Sequence, residues 1–267
     1  MTATYGLYAY GLVGQSPEQL HSVGIDQKHN VYPVIGRELC VMVSKIDIDV
    51  FQDQVKQVFA ELTSSVDQRG TTALLQAHED VVDTLMEWTD VVPFKFGTIL
   101  KDEAAAAKML QDNEEQFKML LAKCTGKAEW GLKVYADQQA FIQHTTQVEP
   151  TFKAMEEKRA TLSRGAAYLL GKKMAEVVKD DVAARLTQVS ETIFQELEKD
   201  AYEAKLIKTL PRSLTGSRKE MILNTVYLVE REKGAHFCNQ GARLREQYAA
   251  MGLDLEVSGP WPPYSFI

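Results

Sequence analysis

The stretch Val91-Val92-Pro93-Phe94-Lys95-Phe96-Gly97-Thr98-Ile99-Leu100 gives the first indication of the fold class. Its residues are typical of strands on both sides of Lys95, and Pro93 predicts that the first part lies at a sheet edge or a bulge. Helical patterns flank the stretch, over residues 50–62, 71–87 and 102–121. Helices that recur between strands indicate an α+β fold, with the helices covering one face of the sheet.

More strands are predicted on either side of this stretch. Apolar alternation indicates strands over residues 4–13 and 127–135, and a hairpin whose turn contains Gly36-Arg37. The hairpin strands are residues 31–35 and 39–43. We therefore expect residues 1–149 to form an elaborated ferredoxin-like domain with these strands in one sheet, ending near Pro150.

The composition changes beyond Pro150. Residues 152–202 contain no proline, and an apolar seam recurs there at spacings of three and four residues. The seam consists of Ala175, Val178, Val182, Leu186, Val189, Ile193 and Leu197. It predicts a long, coiled-coil-like helix over residues 166–201 that packs on another element or another chain. A small α/β unit is expected after it, with strands at 206–210, 221–229 and 253–257 and a helix at 234–251, so residues 150–258 form a helical C-terminal domain.

The last nine residues, Gly259-Pro260-Trp261-Pro262-Pro263-Tyr264-Ser265-Phe266-Ile267, combine three prolines with three aromatic side chains. Proline lacks the N–H that a helix interior or a central strand requires, so a stiff, extended tail is expected. Burial of its aromatic surface and the cost of ordering it nearly cancel, and the prolines lower that cost. Two interpretations remain open: the tail docks on its own chain, or it binds a partner.

Composition excludes several functions. The chain has 267 residues, 45% of them hydrophobic, and a net charge of −7, which is unsuited to binding nucleic acid or an anionic membrane surface. Cys40, Cys124 and Cys238 are few and far apart, which predicts a reducing compartment. Neither a signal peptide nor a membrane-spanning run is recognised. A cytoplasmic protein is expected.

The sequence contains no recognised catalytic motif. Gly126-Lys127 is followed by Ala128 and not by the Ser or Thr of a phosphate-binding loop. His78-Glu79 has no second histidine four residues later, so the zinc protease motif is absent and His78 is expected to half-face the core. We therefore predict no enzyme, no catalytic residue, no cofactor and no metal. The alternative is a small-molecule-binding protein or enzyme on a ferredoxin-like scaffold, because distant residues can assemble a site on folding.

Three motifs in this order resemble the gas vesicle GvpF/GvpL family. They are the stretch 91–98, the stretch Gly126-Lys127-Ala128-Glu129-Trp130-Gly131-Leu132-Lys133-Val134, and the proline-rich tail. Residues 5–13 and 165–173 support the resemblance, which spans nearly the whole chain. Lys95 departs from the family pattern, in which arginine is common, and lysine lacks arginine's bidentate hydrogen bonding.

The resemblance implies an N-terminal ferredoxin-like domain and a C-terminal coiled-coil-rich domain. It also implies an accessory or minor structural component of gas vesicles that assists nucleation and assembly, with no enzyme activity. The implied partners are the small shell protein GvpA and other gas vesicle accessory proteins. The residues expected to contact a partner are Pro93, Phe94, Lys95, Phe96, Trp261, Tyr264 and Phe266. For Phe94, Phe96 and Trp130, a place in the core is the alternative.

Overall fold

The computed structural model describes residues 4–14, 22–63 and 69–267. The chain forms two compact units. The first comprises Met1–Ala128 together with Trp261–Ile267, and the second comprises Glu129–Pro260.

The first unit contains an antiparallel sheet in the order β2-β3-β1-β4, with β5 also paired to β1. Its strands are β1 (Tyr5–Val13), β2 (Tyr32–Ile35), β3 (Cys40–Asp47), β4 (Val91–Pro93) and β5 (Ile99–Leu100). Its helices are α1 (Ile48–Thr63), α2 (Arg69–Trp88), α3 (Glu103–Asp112) and α4 (Glu114–Cys124). The predicted hairpin and the edge position of Pro93 are confirmed, because β2 pairs with β3 and β4 ends the sheet path.

Strand β1 is buried on both of its faces. Tyr8 and Tyr10 pack with Phe51 of α1 and Val82 of α2 in one cluster. Leu7, on the opposite face, belongs to a second cluster that α3 and α4 complete. The prediction that helices cover one face is therefore wrong for this sheet. A strand that is apolar on both sides needs a layer of helices against each face.

The single helix predicted over residues 102–121 is two helices. Asn113 ends α3 and begins α4, with non-helical backbone angles of φ −119° and ψ 16°. Its side-chain amide donates a hydrogen bond to the carbonyl oxygen of Met109. Asparagine competes for backbone groups in this way, which explains the interruption of a favourable helical pattern.

The second unit contains a four-stranded sheet in the order β7-β8-β6-β9. Its strands are β6 (Lys127–Ala136), β7 (Glu203–Leu206), β8 (Glu220–Glu230) and β9 (Leu253–Trp261). Its helices are α5 (Gln138–Val148), α6 (Pro150–Ala160), α7 (Arg164–Glu198), α8 (Arg212–Thr215) and α9 (Gly234–Ala249). The expectation that β6 joins the first sheet is wrong. Apolar alternation identifies a strand but not its partner, and β6 pairs with strands that follow it by about ninety residues or more.

Helix α7 has the predicted length and uses the predicted apolar positions. Its buried members line the core of the second unit: Val178, Val182, Leu186, Ile193 and Leu197. The side chain of Ala175, and those of Val58 and Leu62 in α1, lie outside the described residues. The seam packs within its own chain against α6 and β8, and the coiled-coil description stays a prediction.

A mixed α/β chain with antiparallel sheets is therefore confirmed, whereas the ferredoxin-like description stays a prediction. The chain passes from the first unit to the second after Ala128, earlier than the predicted division at Pro150, and returns to the first unit after Pro260, two residues later than the predicted division before Gly259. The domain division into residues 1–149, 150–258 and 259–267 likewise stays a prediction.

Candidate functional site: the Phe96 segment and the tail

Two tyrosines of β1 point into the core beneath α2. Residues two apart on a strand share a face, and both Tyr8 and Tyr10 are fully buried. The Tyr10 hydroxyl lies 2.8 Å from Ser44 Oγ and accepts the backbone N–H of Ile25 at 2.7 Å. Burial raises the pKa of Tyr10 to about 12, so it stays a neutral hydrogen-bonding group.

His78 lies at the centre of this cluster. It is fully buried on the core-facing side of α2, which is deeper than the half-buried position expected from the sequence. Its Nδ1 lies 3.0 Å from the Tyr8 hydroxyl, and its Nε2 lies 3.0 Å from the Tyr264 hydroxyl. Both ring nitrogens therefore have partners, one on β1 and one in the tail.

Gly97 fixes the position of the Tyr8 hydroxyl. The Gly97 backbone N–H donates to that oxygen at 2.9 Å, and Gly97 has a φ of 85°. Glycine adopts this left-handed conformation at little cost, whereas a side chain makes it unfavourable. Gly97 thus connects the stretch around Phe96 to the buried histidine.

Tyr264 connects His78 to the half-buried carboxylate of Glu79. The Tyr264 hydroxyl also hydrogen-bonds to the Glu79 side chain. Burial, followed by the negative charges of Glu79 and Asp83, raises the pKa of Tyr264. Burial and the Asp83 charge likewise raise the pKa of Glu79, although its hydrogen bond to Tyr264 opposes this.

One arrangement of protons satisfies the four hydrogen bonds that run from Gly97 through Tyr8, His78 and Tyr264 to Glu79. The Gly97 N–H donates to Tyr8, whose O–H is then free to donate to Nδ1 of His78. An ionised Glu79 only accepts, so Tyr264 donates to it and accepts the Nε2–H of His78. This arrangement requires a neutral imidazole. Burial lowers the pKa of His78 to about 4, against a smaller opposing effect of the Phe94 carbonyl, so the ring is neutral at pH 7.

The four predicted contact residues of the first motif differ in exposure. Pro93 is buried in β4, and Phe94 and Phe96 are half-buried against opposite core clusters. Lys95, between them, is exposed. Both phenylalanines therefore contribute to the core, as the alternative interpretation stated, while Lys95 faces solvent.

The three predicted contact residues of the tail are also unequal. Trp261 is 46% exposed, whereas Phe266 is 2% exposed. The centroid of the Phe266 ring lies 5.8 Å from the Lys123 ammonium nitrogen. Tyr264 packs against the cluster of His78. The tail is extended through the end of β9 and then forms a short 3-10 turn over Tyr264–Phe266. Pro260 lies on an edge strand, where its missing N–H is tolerated.

Sequence reasoning missed the part played by Tyr8, His78 and Glu79. The available signals were a histidine on an apolar helical face and tyrosines alternating along a strand. Neither signal identifies the third partner, because Tyr264 lies 186 residues from His78.

A groove of about 390 Å³ opens beside Phe96. It is lined by Phe51, Gln52, Val55, Lys56, Phe96, Gly97 and Ile99. Three of these residues come from the strand-like stretch quoted above, and the others come from α1. Part of that stretch is therefore accessible at the surface, beside the apolar side chains of α1.

Across the part of the chain that the structure describes, no group of three or more His, Cys, Asp or Glu side chains is placed to hold a metal ion. Within the same residues, no helix combines the length and apolar character needed to cross a bilayer. The Trp130 indole lies in the core of the second unit, as the alternative interpretation stated, and packs against Phe237.

Comparison with known families decides the identity. The model of the family described as "Gas vesicle synthesis protein GvpL/GvpF" matches residues 6–267. The chain belongs to the GvpL/GvpF family. The resemblance inferred from the three motifs is thereby confirmed.

Individual relatives of this GvpL/GvpF chain agree with the family match. Gas vesicle protein F of Streptomyces sp. (strain CB03234) is 25% identical over 267 residues, covering 97% of this chain and 98% of the relative. Gas vesicle protein L of the same strain is 28% identical over 191 residues, covering 72% of this chain and 67% of the relative.

Solved structures of the family share the fold. The crystal structure of GvpF from Anabaena sp. PCC7120 matches with a TM-score of 0.67 and 20% identity, over 98% of this chain and 95% of that one. GvpF from Microcystis aeruginosa matches with a TM-score of 0.66 and 21% identity, over 98% of each chain.

Proposed function

We propose that this GvpL/GvpF chain is an accessory or minor structural protein of gas vesicles. It binds the small shell protein GvpA and assists vesicle nucleation and assembly. The family match over residues 6–267 supports the association with gas vesicles, and the relatives are named as gas vesicle proteins. A cytoplasmic location, contacts with other accessory proteins and the absence of enzyme activity belong to the same proposal.

The groove beside Phe96 is the observation that carries the proposal of shell-protein binding. Phe51, Val55, Phe96 and Ile99 make it largely apolar, and Lys95 stands exposed next to it. Lys95 forms no ion pair with the described residues. An apolar groove beside a solvated cation suits a hydrophobic segment that carries a carboxylate.

The predicted contact residues divide into two roles under this proposal. Lys95, Phe96 and Trp261 are accessible to a partner. The remaining four support these residues from within the chain. Pro93 and Phe94 pack in the core of the first unit, Tyr264 lies within hydrogen-bonding distance of His78, and Phe266 is buried. Substitution of a supporting residue would lower the stability of the fold and would weaken partner binding only as a consequence.

The proposal is tested with purified GvpA and a variant that fills the groove. Gln52 is exposed and lines the groove, so Gln52→Trp blocks it without removing a core side chain. The unaltered chain is expected to suppress light scattering by aggregating GvpA and to bind it in a pull-down. Gln52→Trp is expected to weaken binding about tenfold, because a filled groove excludes the apolar anchor.

Gln247→Trp provides the matched control, since Gln247 is an exposed helical glutamine of α9. It is expected to bind GvpA like the unaltered chain. The proposal would be wrong if both variants lost GvpA binding equally. It would also be wrong if the unaltered, folded chain neither bound GvpA nor reduced its aggregation.

A further inference from the structure

One segment of the second unit is strongly basic. Residues 204–219, Ala-Lys-Leu-Ile-Lys-Thr-Leu-Pro-Arg-Ser-Leu-Thr-Gly-Ser-Arg-Lys, contain five Lys or Arg side chains and no carboxylate. The whole chain has a net charge of −7, so this segment opposes the charge of the rest. We call residues 204–219 the basic segment.

Apolar side chains of the basic segment are exposed. Leu206 is 67% exposed and Leu214 is 70% exposed, and Ile207 and Leu210 are also accessible. Residues 206–214 form an unbroken exposed run. A contiguous run of this kind with several large apolar side chains marks an interaction surface more often than scattered single ones do.

Three of the cations have no partner within the described residues. Lys205 pairs with Glu203, and Lys219 pairs with Asp254. In contrast, Lys208, Arg212 and Arg218 form no ion pair with any part of the chain that the structure describes. Their charges are therefore free to meet carboxylates from outside.

A groove of about 580 Å³ adjoins the basic segment. Leu206 and Thr209 of that segment line one side of it, and α7 lines another with Val182, Leu186 and Phe194. The backbone N–H of Leu210 donates to Met221 Sδ at 3.4 Å, which fixes the segment beside this groove. Lys208, Arg212 and Arg218 each lie within three residues of a lining residue.

We propose that this groove and the basic segment together form a docking surface for an amphipathic, acidic segment of a partner protein. The partner's apolar side chains enter the groove, and its carboxylates meet Lys208, Arg212 and Arg218. Charge complementarity selects this occupant.

An anionic bilayer fits the same surface less well. Glu191 and Glu220 also line the groove, so its lining is not uniformly positive. A bilayer presents negative charge across its whole surface, and the net charge of −7 repels it. A peptide with carboxylates along one side can place them against Lys208, Arg212 and Arg218 alone.

The test uses three synthetic helical peptides that share a leucine-rich face and carry Glu, Lys or Gln on the other face. Binding is measured by fluorescence anisotropy with the full chain. We expect the Glu peptide to bind most tightly, and its affinity to fall as NaCl is raised from ~50 to ~500 mM because salt screens exposed charges.

Charge reversal then locates the site. The triple variant Lys208→Glu, Arg212→Glu, Arg218→Glu is expected to weaken the Glu peptide about tenfold and to favour the Lys peptide. The matched control reverses Lys153, Lys173 and Arg245, which are exposed cations of α6, α7 and α9. Ala183→Trp fills the groove from an exposed position on α7. It is expected to weaken the binding of the Glu peptide and of the Lys peptide alike.

Several results would overturn the proposal. They are equal binding of the Glu and Lys peptides, equal loss in the control triple variant, and no effect of Ala183→Trp. Binding to phosphatidylserine vesicles without binding to the Glu peptide would assign the surface to a membrane. Self-association that the triple variant abolishes would assign it to a second copy of the chain.

Discussion

His78 Nε2 and the Tyr264 hydroxyl lie 3.0 Å apart, although 186 residues separate them in the sequence. Through this contact the tail reaches the buried network that also contains Tyr8 and Gly97. The tail is therefore part of the first unit's hydrogen-bonded core as well as of its apolar packing.

Removal of the Tyr264 hydroxyl tests this contact directly. Tyr264→Phe keeps the ring but leaves the Nε2–H of His78 buried without an acceptor, so we expect a loss of about 1–3 kcal/mol in the free energy of unfolding. Urea denaturation measures the loss. Tyr168→Phe, at a position that is 64% exposed, is the control and is expected to stay within about 0.5 kcal/mol. Equal effects in the two variants would contradict the proposed bond.

The buried imidazole predicts a dependence of stability on pH. The pKa of His78 is lowered from 6.5 to about 4 in the folded chain, so the unfolded chain binds more protons between these values. The contribution of His78 to the free energy of unfolding is therefore fully present above pH 6.5. It decreases as the pH falls toward 4, by at most about 1.4 kcal/mol per pH unit. Glu79 and Asp83, whose pKa values are raised, act in the opposite direction.

Comparison with His78→Gln separates the histidine from these carboxylates. The variant keeps Glu79 and Asp83, so the difference in unfolding free energy between the two chains isolates the imidazole. We expect this difference to shrink steadily in urea titrations from pH 7 to pH 4.5. A difference that does not change with pH would mean that His78 titrates alike in the folded and unfolded chains.

Backbone conformation at Gly97 gives a third prediction. A Cβ added there meets nothing within 4 Å, so Gly97→Ala is unfavourable only through its φ of 85°. We expect a cost of about 1–2 kcal/mol. Gly165, in the first turn of α7, is equally open but has an ordinary φ, so Gly165→Ala is expected to be neutral or to stabilise by up to about 1 kcal/mol. Thermal unfolding compares them, and a reversed order would contradict this account.

Burial of Phe266 gives the fourth prediction. Phe266→Ala is expected to cost about 3–5 kcal/mol because it leaves a cavity where a fully packed ring stood. The neighbouring Ile267 is 38% exposed, so Ile267→Ala is expected to cost much less. Calorimetry on both variants measures the difference. Similar small losses would indicate that the tail leaves the core in solution.

Much of the fold followed from local patterns in the sequence. The hairpin of β2 and β3, the long α7 and its buried positions Val182 and Leu186 were all predicted, because strand and helix periodicity are local properties. The break at Asn113 was missed because a favourable helical pattern continues through it.

The sheet partners and the buried network were not predictable in the same way. The alternation in β6 is equally compatible with either sheet, and only the positions of β8 and β9 settle its place. Likewise, the sequence around Tyr8 and His78 does not predict that Tyr264 lies beside them. The motif 91–98 and the tail are both recognisable in the sequence, but their connection through His78 depends on tertiary structure.

The division of the first unit into two stretches of sequence has a consequence for synthesis. Tyr264 and Phe266 follow the whole of the second unit in chain order. At ~5–20 residues per second, the ribosome adds Tyr264 roughly 10–40 s after His78. During that interval the nascent first unit holds a histidine whose Nε2 partner has not yet been made, so its core closes only after the second unit has been synthesised.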